Sequence, residues 1–559
     1  MTEFKTTVET FGPAPVDPRA EQFEVRTRDG ITLATDVYLC QDTTPKPVIL
    51  VRLPYDKSGR YTFMSQLAET INERGFVLVA QDVRGKFRST GETMPCTSEM
   101  ADGYDTLEWL SRQAWCDGNV GMFGDSYYGY TQWAAAASGH HALKAIAPGV
   151  TSAELSLQRK RLPGAVFPLI QSDYVSHVWV DNNIHEFDVD WSIRPLANVF
   201  DEAFGQIGTR SGAFDNVVNT WDDPTVAGAN WPTHPFRGSR IPVLHQVAWF
   251  DNVSPLSMRD YVTISAIEDR TSLQFLTADS RDHENYHLRD VPISPELDHG
   301  EDDAALARLI PLYLAPALDF FDWTLRGLDR PVDLAQVRWH LGHDGWHQAD
   351  TWPPPGAEEL VLHLVGEGSA TSAEGGALSE KADAGRASVQ WTHDPNNMVP
   401  SMVGDSFAFL REYPDESRVH DRPDVLTFTS EARSTPLDLA GPIHLRVKVG
   451  SSGSAMQVHA KLLDVSPDGT AHMITRGQVT IDSPDPDVLS EVYLGHTGYR
   501  LRPGHRLRIH LASSDFPLFL WLPGTGENPW QATRTQANQQ TLITGGTTPS
   551  NLTLTVLSN

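Results

Sequence analysis

Cysteine is scarce in this chain: only Cys40, Cys96 and Cys116 occur among 559 residues. Three scattered thiols exclude a disulfide framework, and their spacing contains no CxxC or Cys/His zinc pattern. Positive charge is also short. Lys and Arg number 44 against 72 Asp and Glu, a formal net charge of −28. That balance argues against nucleic acid or an anionic membrane as partner and serves solubility. The opening Met1-Thr-Glu-Phe-Lys-Thr-Thr-Val8 has no basic start leading into an apolar run, and no segment reads as long enough to span a membrane. No internal repeat is visible. A soluble, cytoplasmic protein is expected, with no metal or other cofactor; homo-oligomerisation stays open.

What is present is globular. Hydrophobic residues make up 40% and aromatics 9% of a chain long enough for two or three domains. An Asp29-Gly30 turn between Phe23–Arg28 and Ile31–Leu39 reads as a hairpin. Apolar runs at Val48–Leu53, Phe76–Ala80, Val120–Phe123 and Leu143–Ala147 then alternate with helical segments at Thr62–Arg74, Tyr104–Gln113 and Tyr127–Ser138. This alternation predicts a parallel sheet covered on both faces. Residues 150–238 break the rhythm with Phe167, Tyr174, Trp179, Phe187, Trp191, Trp221 and Trp231, and are expected to form an inserted helical cap. Ile241–Ala248, Ser272–Thr277 and a helix over Leu306–Leu325 resume the series. Beyond Trp352-Pro-Pro-Pro-Gly356 and a glycine-rich loop at Gly366–Ser388, short β-type runs punctuated by Asp468-Gly, Pro503-Gly and Pro523-Gly predict an antiparallel sandwich. The expected layout is an α/β domain over 1–149 and 239–335, a cap over 150–238 and a β-sandwich over 336–559.

The chemistry concentrates at Gly121-Met-Phe-Gly-Asp-Ser-Tyr-Tyr-Gly-Tyr-Thr-Gln-Trp133. A strand runs into a tight turn with Ser126 at its apex and then opens a helix, which suits a nucleophile elbow of the G-x-S-x-G type. Here the second glycine, Gly129, falls one residue late. The backbone N–H of Tyr127, at the helix start, is a candidate oxyanion donor. A second donor should come from the loop after Val48–Leu53, Arg52-Leu-Pro-Tyr-Asp-Lys57. The orienting acid and the base should follow in the order Ser, acid, His. Asp251 ends the strand-like run Pro242–Phe250, and a plain helix-capping role is its alternative. His283 follows the next strand, with His287 and His299 as alternative bases; His245, inside a strand, suits a packed core histidine.

Several ordered blocks carry a resemblance. Arg52-Leu-Pro-Tyr-Asp-Lys57, Gln81-Asp-Val-Arg-Gly-Lys-Phe-Arg-Ser-Thr-Gly-Glu92, Asp102–Leu110 and the Ser126 segment are joined by Asp394-Pro-Asn-Asn-Met-Val-Pro400, Pro436–Ile443, Tyr499–Ile509 and Ser513–Pro517. Together they resemble the cocaine esterase branch of the X-Pro dipeptidyl-peptidase (CocE/NonD, S15) family of α/β-hydrolases. The resemblance spans nearly the whole chain except the cap. It implies an α/β-hydrolase fold with a helical cap and a C-terminal jelly roll. It further implies Ser126 as nucleophile, Tyr55 as a hydroxyl donor to the oxyanion, Asp251 as the acid of an Ala248-Trp-Phe-Asp251 segment, and His283 as base. The segment before His283, Ala278-Asp-Ser-Arg-Asp-His283, departs from the family's G-P-W-x-H: it lacks the glycine, proline and tryptophan and is one residue longer. The activity expected is hydrolysis of a small carboxylic ester or amide through an acyl-enzyme. Xaa-Pro dipeptide release and β-lactam acylase or α-amino acid ester hydrolase activity are alternatives, as is a non-catalytic binding protein. Dipeptide release would draw on carboxylates such as Asp173, Asp181, Glu186, Asp188 and Asp190.

Overall fold

The computed structural model describes residues 6–558 apart from 156–163, 222–233, 289–292, 333, 367–374 and 404–412. Trp231 of the expected cap and part of the glycine-rich loop lie outside the described residues. The first sheet has ten strands: β1 (Glu21–Arg26), β2 (Thr32–Tyr38), β3 (Lys46–Leu53), β4 (Val77–Asp82), β5 (Cys116–Asp125), β6 (Leu143–Gly149), β7 (Val243–Ala248), β8 (Gln274–Asp279), β9 (Val337–Leu341) and β10 (Gly345–Ala349). Their spatial order is β1-β2-β4-β3-β5-β6-β7-β8-β9-β10. The interior from β4 to β9 is parallel, and β1, β2 and β10 add antiparallel edges.

The apolar character of β3 and β4 follows from burial on both sides. Ile49, Val51 and Leu53 face a core built with helices Met64–Glu73 and Asp303–Thr324, whereas Val48 and Leu50 face one built with Glu99–Leu110 and Ser126–Ala137. Successive side chains on a strand point to opposite faces, so one apolar run feeds two cores.

Two sequence expectations change here. The expected boundary at 335/336 falls before β9 and β10, which extend the hydrolase sheet because Leu276, Thr277 and Ala278 pair in register with Val337, Arg338 and Trp339. Helix Asp303–Thr324, against the expectation that no segment is long enough, is sufficiently long and apolar to cross a membrane by length and composition. Half of its apolar window is buried, with Ile310, Leu314, Leu318 and Phe321 packed into the sheet's core.

Among the described residues the cap carries helices Ile170–His177, Asp201–Ile207, Gly212–Asn219 and the short Pro235–Gly238, and one short strand, Ile184–Glu186, paired with Glu9–Phe11. Its rings form a common cluster with Leu520, Trp521 and Trp530 of the C-terminal part. Backbone bonds Leu169 N–H to Leu518 O (2.9 Å) and Ala197 N–H to Trp530 O (2.9 Å) stitch that seam. At its other end the cap is fastened by Lys86. This fully buried ammonium donates to the carbonyls of Val178, Asp181 (2.9 Å) and Asn183 (2.6 Å). Burial pulls its pKa down to about 7, against the opposing pull of Asp181 and Asp82.

The C-terminal domain is all-β. Eleven strands form one hydrogen-bonded network around a core that includes Leu364, Phe428, Leu445, Leu462, Leu494 and Leu554. Inside the expected glycine-rich loop, Gly376–Ser379 is a strand that pairs parallel to Leu426–Thr429. Gly342 N–H to Gly498 O (3.0 Å) and Arg500 N–H to Gly342 O (2.9 Å) join this domain to the hydrolase sheet's edge.

Candidate active site

Ser126 stands where β5 meets helix Ser126–Ala137, with a positive φ of 54° that a non-glycine residue seldom adopts. Two glycines make this turn possible. Gly124 has φ +129°, and a Cβ there would overlap the ring of Tyr128. Gly129 lies where the helix crosses the end of β6, and a Cβ there would press on Thr151 and the Gly149 carbonyl. The late glycine therefore marks the point of closest helix–strand approach. Gln132 braces the turn from below: its amide donates to Gly124 O (2.9 Å) and accepts from Ala147 N–H (3.0 Å). The N–H of Tyr127 belongs to the first helical turn, whose donors have no intrahelical acceptor.

Tyr55 follows β3 and is held by stakes on both sides. Arg52, wholly buried, pairs with Glu99 (3.0 Å) and donates to Gln81 Oε1 (2.8 Å). Lys57, equally buried, pairs with Asp82 at 3.0 Å and Asp36 at 3.5 Å. Thr131 of helix Ser126–Ala137 donates to Arg52 O (2.9 Å), which locks the two loops together. The Tyr55 ring meets Tyr61 and Tyr128 edge-on, at centroid distances of 5.5 and 6.0 Å. Its hydroxyl lies 3.5 Å from the Tyr174 hydroxyl of the cap, with the Ser126 side chain near enough to act on the phenol. Burial pushes the phenol up to about 12, so it is a proton-bearing donor at neutral pH.

Asp251 and His283 meet directly: His283 Nδ1 is 2.7 Å from Asp251 Oδ1. Asp251 leaves β7 by a tight turn and is fully buried; His283 lies on the loop after β8. That loop is shaped by Asp282, whose Oδ1 accepts the N–H groups of Glu284 and Tyr286, both at 2.9 Å. Burial depresses the imidazole's pKa, but Asp251, Glu284 and Asp125 outweigh it and raise it to about 9.

The other histidines separate cleanly. His287 faces Asp279 (3.5 Å) rather than Asp251, and His299 stacks on Tyr286. His245 bonds Gln274 (2.9 Å) in the core, where burial lowers its pKa to about 4. Asp279, His287 and His340 place three donor atoms within 4.8 Å of one another, a set that could hold a metal ion. Arg281 already occupies Asp279 at 2.6 Å, and against the upward pull of burial, His287 and Arg281 hold that carboxyl near 2. A cation there would have to share the carboxylate with a guanidinium.

The structure thus brings Ser126 against Tyr55 and binds His283 to Asp251. Sequence reasoning did not single out Gln132, Glu99, Asp82 or Asn285. Gln132 lies within the quoted elbow segment, and Asp82 within the Gln81–Glu92 block. For Gln132 and Asp82, a polar residue inside an otherwise apolar or small-residue stretch was the available signal; Asn285, on a polar loop, carried none.

Comparison with known proteins places the chain. The X-Pro dipeptidyl-peptidase (S15 family) matches residues 29–271, and its C-terminal non-catalytic domain matches 332–553. A cocaine esterase from a Rhodococcus species is 31% identical over 544 residues, covering 89% of this chain and 91% of the relative. The chain belongs to the S15 family. It is a serine hydrolase. Among solved structures, an aminopeptidase from a marine-sediment Thaumarchaeota archaeon superposes with a TM-score of 0.78 at 21% identity, covering 98% of both chains. An α-amino acid ester hydrolase gives 0.77 at 22% identity, over 97% of this chain and 98% of that one. These two support the fold: an α/β-hydrolase-like domain followed by an all-β domain.

Proposed function

We propose that this S15 member is a carboxylic ester hydrolase working through an acyl-enzyme on Ser126. The observation that carries the reading is the bond of His283 to the buried Asp251 at 2.7 Å, together with a Tyr55 hydroxyl near the Ser126 side chain. Ser126 Oγ attacks the ester carbonyl and its proton passes to His283 Nε2, the nitrogen turned away from Asp251. Asp251 holds the ring's tautomer and stabilises the imidazolium. The carbonyl oxygen, now negative, is received by the Tyr55 hydroxyl and the Tyr127 N–H. Collapse expels the alcohol, which takes the proton from His283. Water then attacks the acyl carbonyl and gives a proton to His283; collapse breaks the acyl–Oγ bond, releases the carboxylic acid and passes that proton from His283 to Ser126 Oγ.

Ester rather than dipeptide chemistry is favoured by how the cap spends its carboxylates. Asp181 accepts from Asn183 N–H (2.8 Å) and pairs with His185 (3.0 Å), and Asp190 caps a turn through Ser192. Those two are used locally rather than held ready for an α-ammonium group. Tyr61, Tyr128 and Tyr174 gather around Tyr55 instead, which suits an apolar or aromatic acyl or alcohol group.

The test is covalent labelling followed by turnover. A fluorophosphonate should add one phosphonyl group to the wild type and none to Ser126→Ala, read by intact mass. A panel of p-nitrophenyl esters, benzoyl esters and Xaa-Pro anilides should show ester turnover. Absence of an adduct on the wild type would point to a binding protein; preference for the anilides would overturn the ester assignment.

A further inference from the structure

Asp125, the residue before Ser126, is a carboxylate with only 7% exposure, placed directly behind the nucleophile. A glycine makes room for it: a Cβ on Gly149, at the end of the neighbouring strand β6, would overlap Asp125 Oδ1. Its Oδ2 accepts a hydrogen bond from Asn285 Nδ2 at 3.1 Å. The Tyr313 hydroxyl, on helix Asp303–Thr324, is near enough to favour its charged form. Asn285 stands two residues beyond His283 and has φ +68°, a left-handed conformation in which asparagine is among the better-tolerated residues. The bond therefore runs from the nucleophile turn to the crest of the histidine loop. This is the loop that lacks the glycine, proline and tryptophan of the resembling family and is one residue longer.

We propose that Asp125 is a positioning residue, whose carboxylate clamps the His283 loop to the nucleophile turn through Asn285 and so sets where the imidazole stands relative to Ser126. This rests on the serine-esterase reading above. The constraint is mechanical first. Ser126 and Asp125 are adjacent on one rigid turn, and His283 and Asn285 share one short loop. A single bond between their neighbours removes the sliding freedom of the base against the nucleophile. Without it the loop keeps the Asp282 turn, the Asp251–His283 contact and the bonds of Tyr61 to Glu284 (3.2 Å) and Tyr286 to Asp298 (2.6 Å), none of which runs to the Asp125–Ser126 turn. A misplacement of about 1 Å costs on the order of 100-fold in rate.

An electrostatic consequence follows. The charged and titratable groups facing Asp125 are His283 and Arg281 from the histidine loop, Tyr313 from the long helix and Tyr128 from its own helix. His283 in turn faces Asp251, Glu284 and Asp125. Removing the Asp125 charge therefore makes the imidazole less basic.

The clamp is tested by a double-mutant cycle on the full chain with a p-nitrophenyl ester. Asn285→Gly keeps the left-handed backbone and deletes the side chain; Asp125→Ala deletes the other partner. Each is expected to lower kcat about 10- to 100-fold with KM within about twofold, and the double variant is expected to be no worse than the poorer single. Asp125→Asn, which keeps the shape, is expected to move the acid limb of kcat/KM to lower pH. Additive losses, or single variants within twofold of wild-type kcat, would overturn the clamp, and so would an unmoved acid limb in Asp125→Asn. Thermal melts of all variants identify any that fail to fold, in which case Asp125→Asn paired with Asn285→Gly replaces the cycle. Fluorophosphonate labelling separates the two readings. A wild type that does not label at Ser126 defeats the esterase reading, whereas a labelling rate unchanged in Asn285→Gly defeats only the clamp.

Discussion

Replacing Tyr55 by phenylalanine removes one oxygen from a site whose surroundings otherwise stay intact. The ring remains wedged between Tyr61 and Tyr128, and the flanking Arg52–Glu99 and Lys57–Asp82 pairs do not involve the phenol. In the resting protein the hydroxyl's contact with Tyr174 is 3.5 Å, at the outer edge of hydrogen-bond geometry. Its loss should therefore change stability by less than about 1 kcal/mol, a shift in Tm of no more than roughly 4 °C for a domain of this size. In the transition state the same hydroxyl faces a full negative charge in a water-poor site. Removing such a donor costs roughly 10²–10³ in kcat, or about 3 to 4 kcal/mol. The expected result is thus a wide split between catalysis and stability. Steady-state turnover of p-nitrophenyl acetate, a burst experiment separating acylation from deacylation, and a thermal melt read all three quantities. Turnover within about threefold of wild type would refute the role given to Tyr55. So would a loss confined to KM, because uniform binding does not stabilise a developing oxyanion.

The remaining expectations concern the residues around it. With His283 raised to about 9, kcat/KM should climb through neutrality with an acid limb near pH 9, and Glu284→Gln should move that limb downward; a wild-type limb near 6.5 would contradict the environment described for His283. The same shift has a sign for stability: the folded pKa lies above the unfolded value of about 6.5, so the Asp251–His283 pair stabilises fully below that value and loses its contribution as pH rises through 9, which urea midpoints across pH 6 to 10 would follow. Lys57→Met leaves Asp82 and Asp36 buried without their counter-charge, and a urea titration should show a loss of about 3–5 kcal/mol. Gly124→Ala meets both the Tyr128 ring and a φ of +129°, so fluorophosphonate labelling of Ser126 should slow by more than about 100-fold, tracking misplacement of the turn.

Much of the site could be read in the sequence because its parts are local. A strand, a glycine, a serine and a helix are consecutive in the chain, and the backbone rules that place Ser126 act over a handful of residues. The Asp251 and His283 positions followed from chain order in a known sheet plan. What was illegible depends on pairing across long distances. Nothing within Val337–Ala349 announces that it completes the first sheet, since that depends on its register with Leu276 and Ala278. The strands Leu489–Leu501 and Asn538–Thr544 likewise owe their state to distant partners: both pair with Leu437–Ser451, and the second also with Ala387–His393. Asn285 was equally invisible: a polar residue on a polar loop acquires meaning only once Asp125 is seen opposite it.

The ammonium of Lys86, closed in by three cap carbonyls, bears on how the enzyme can be altered. A roof bolted down at one corner by a buried cation, and glued along another side by Trp521 and Trp530, is masonry rather than a door. Selectivity must then be carved into the ceiling's side chains, Tyr174 foremost, instead of being timed by an opening and shutting stroke. Libraries that vary ring size at that ceiling should re-tune scope while leaving the rate of product escape alone. Loosening the bolt, as in Lys86→Met, should do the reverse and trade discrimination for access.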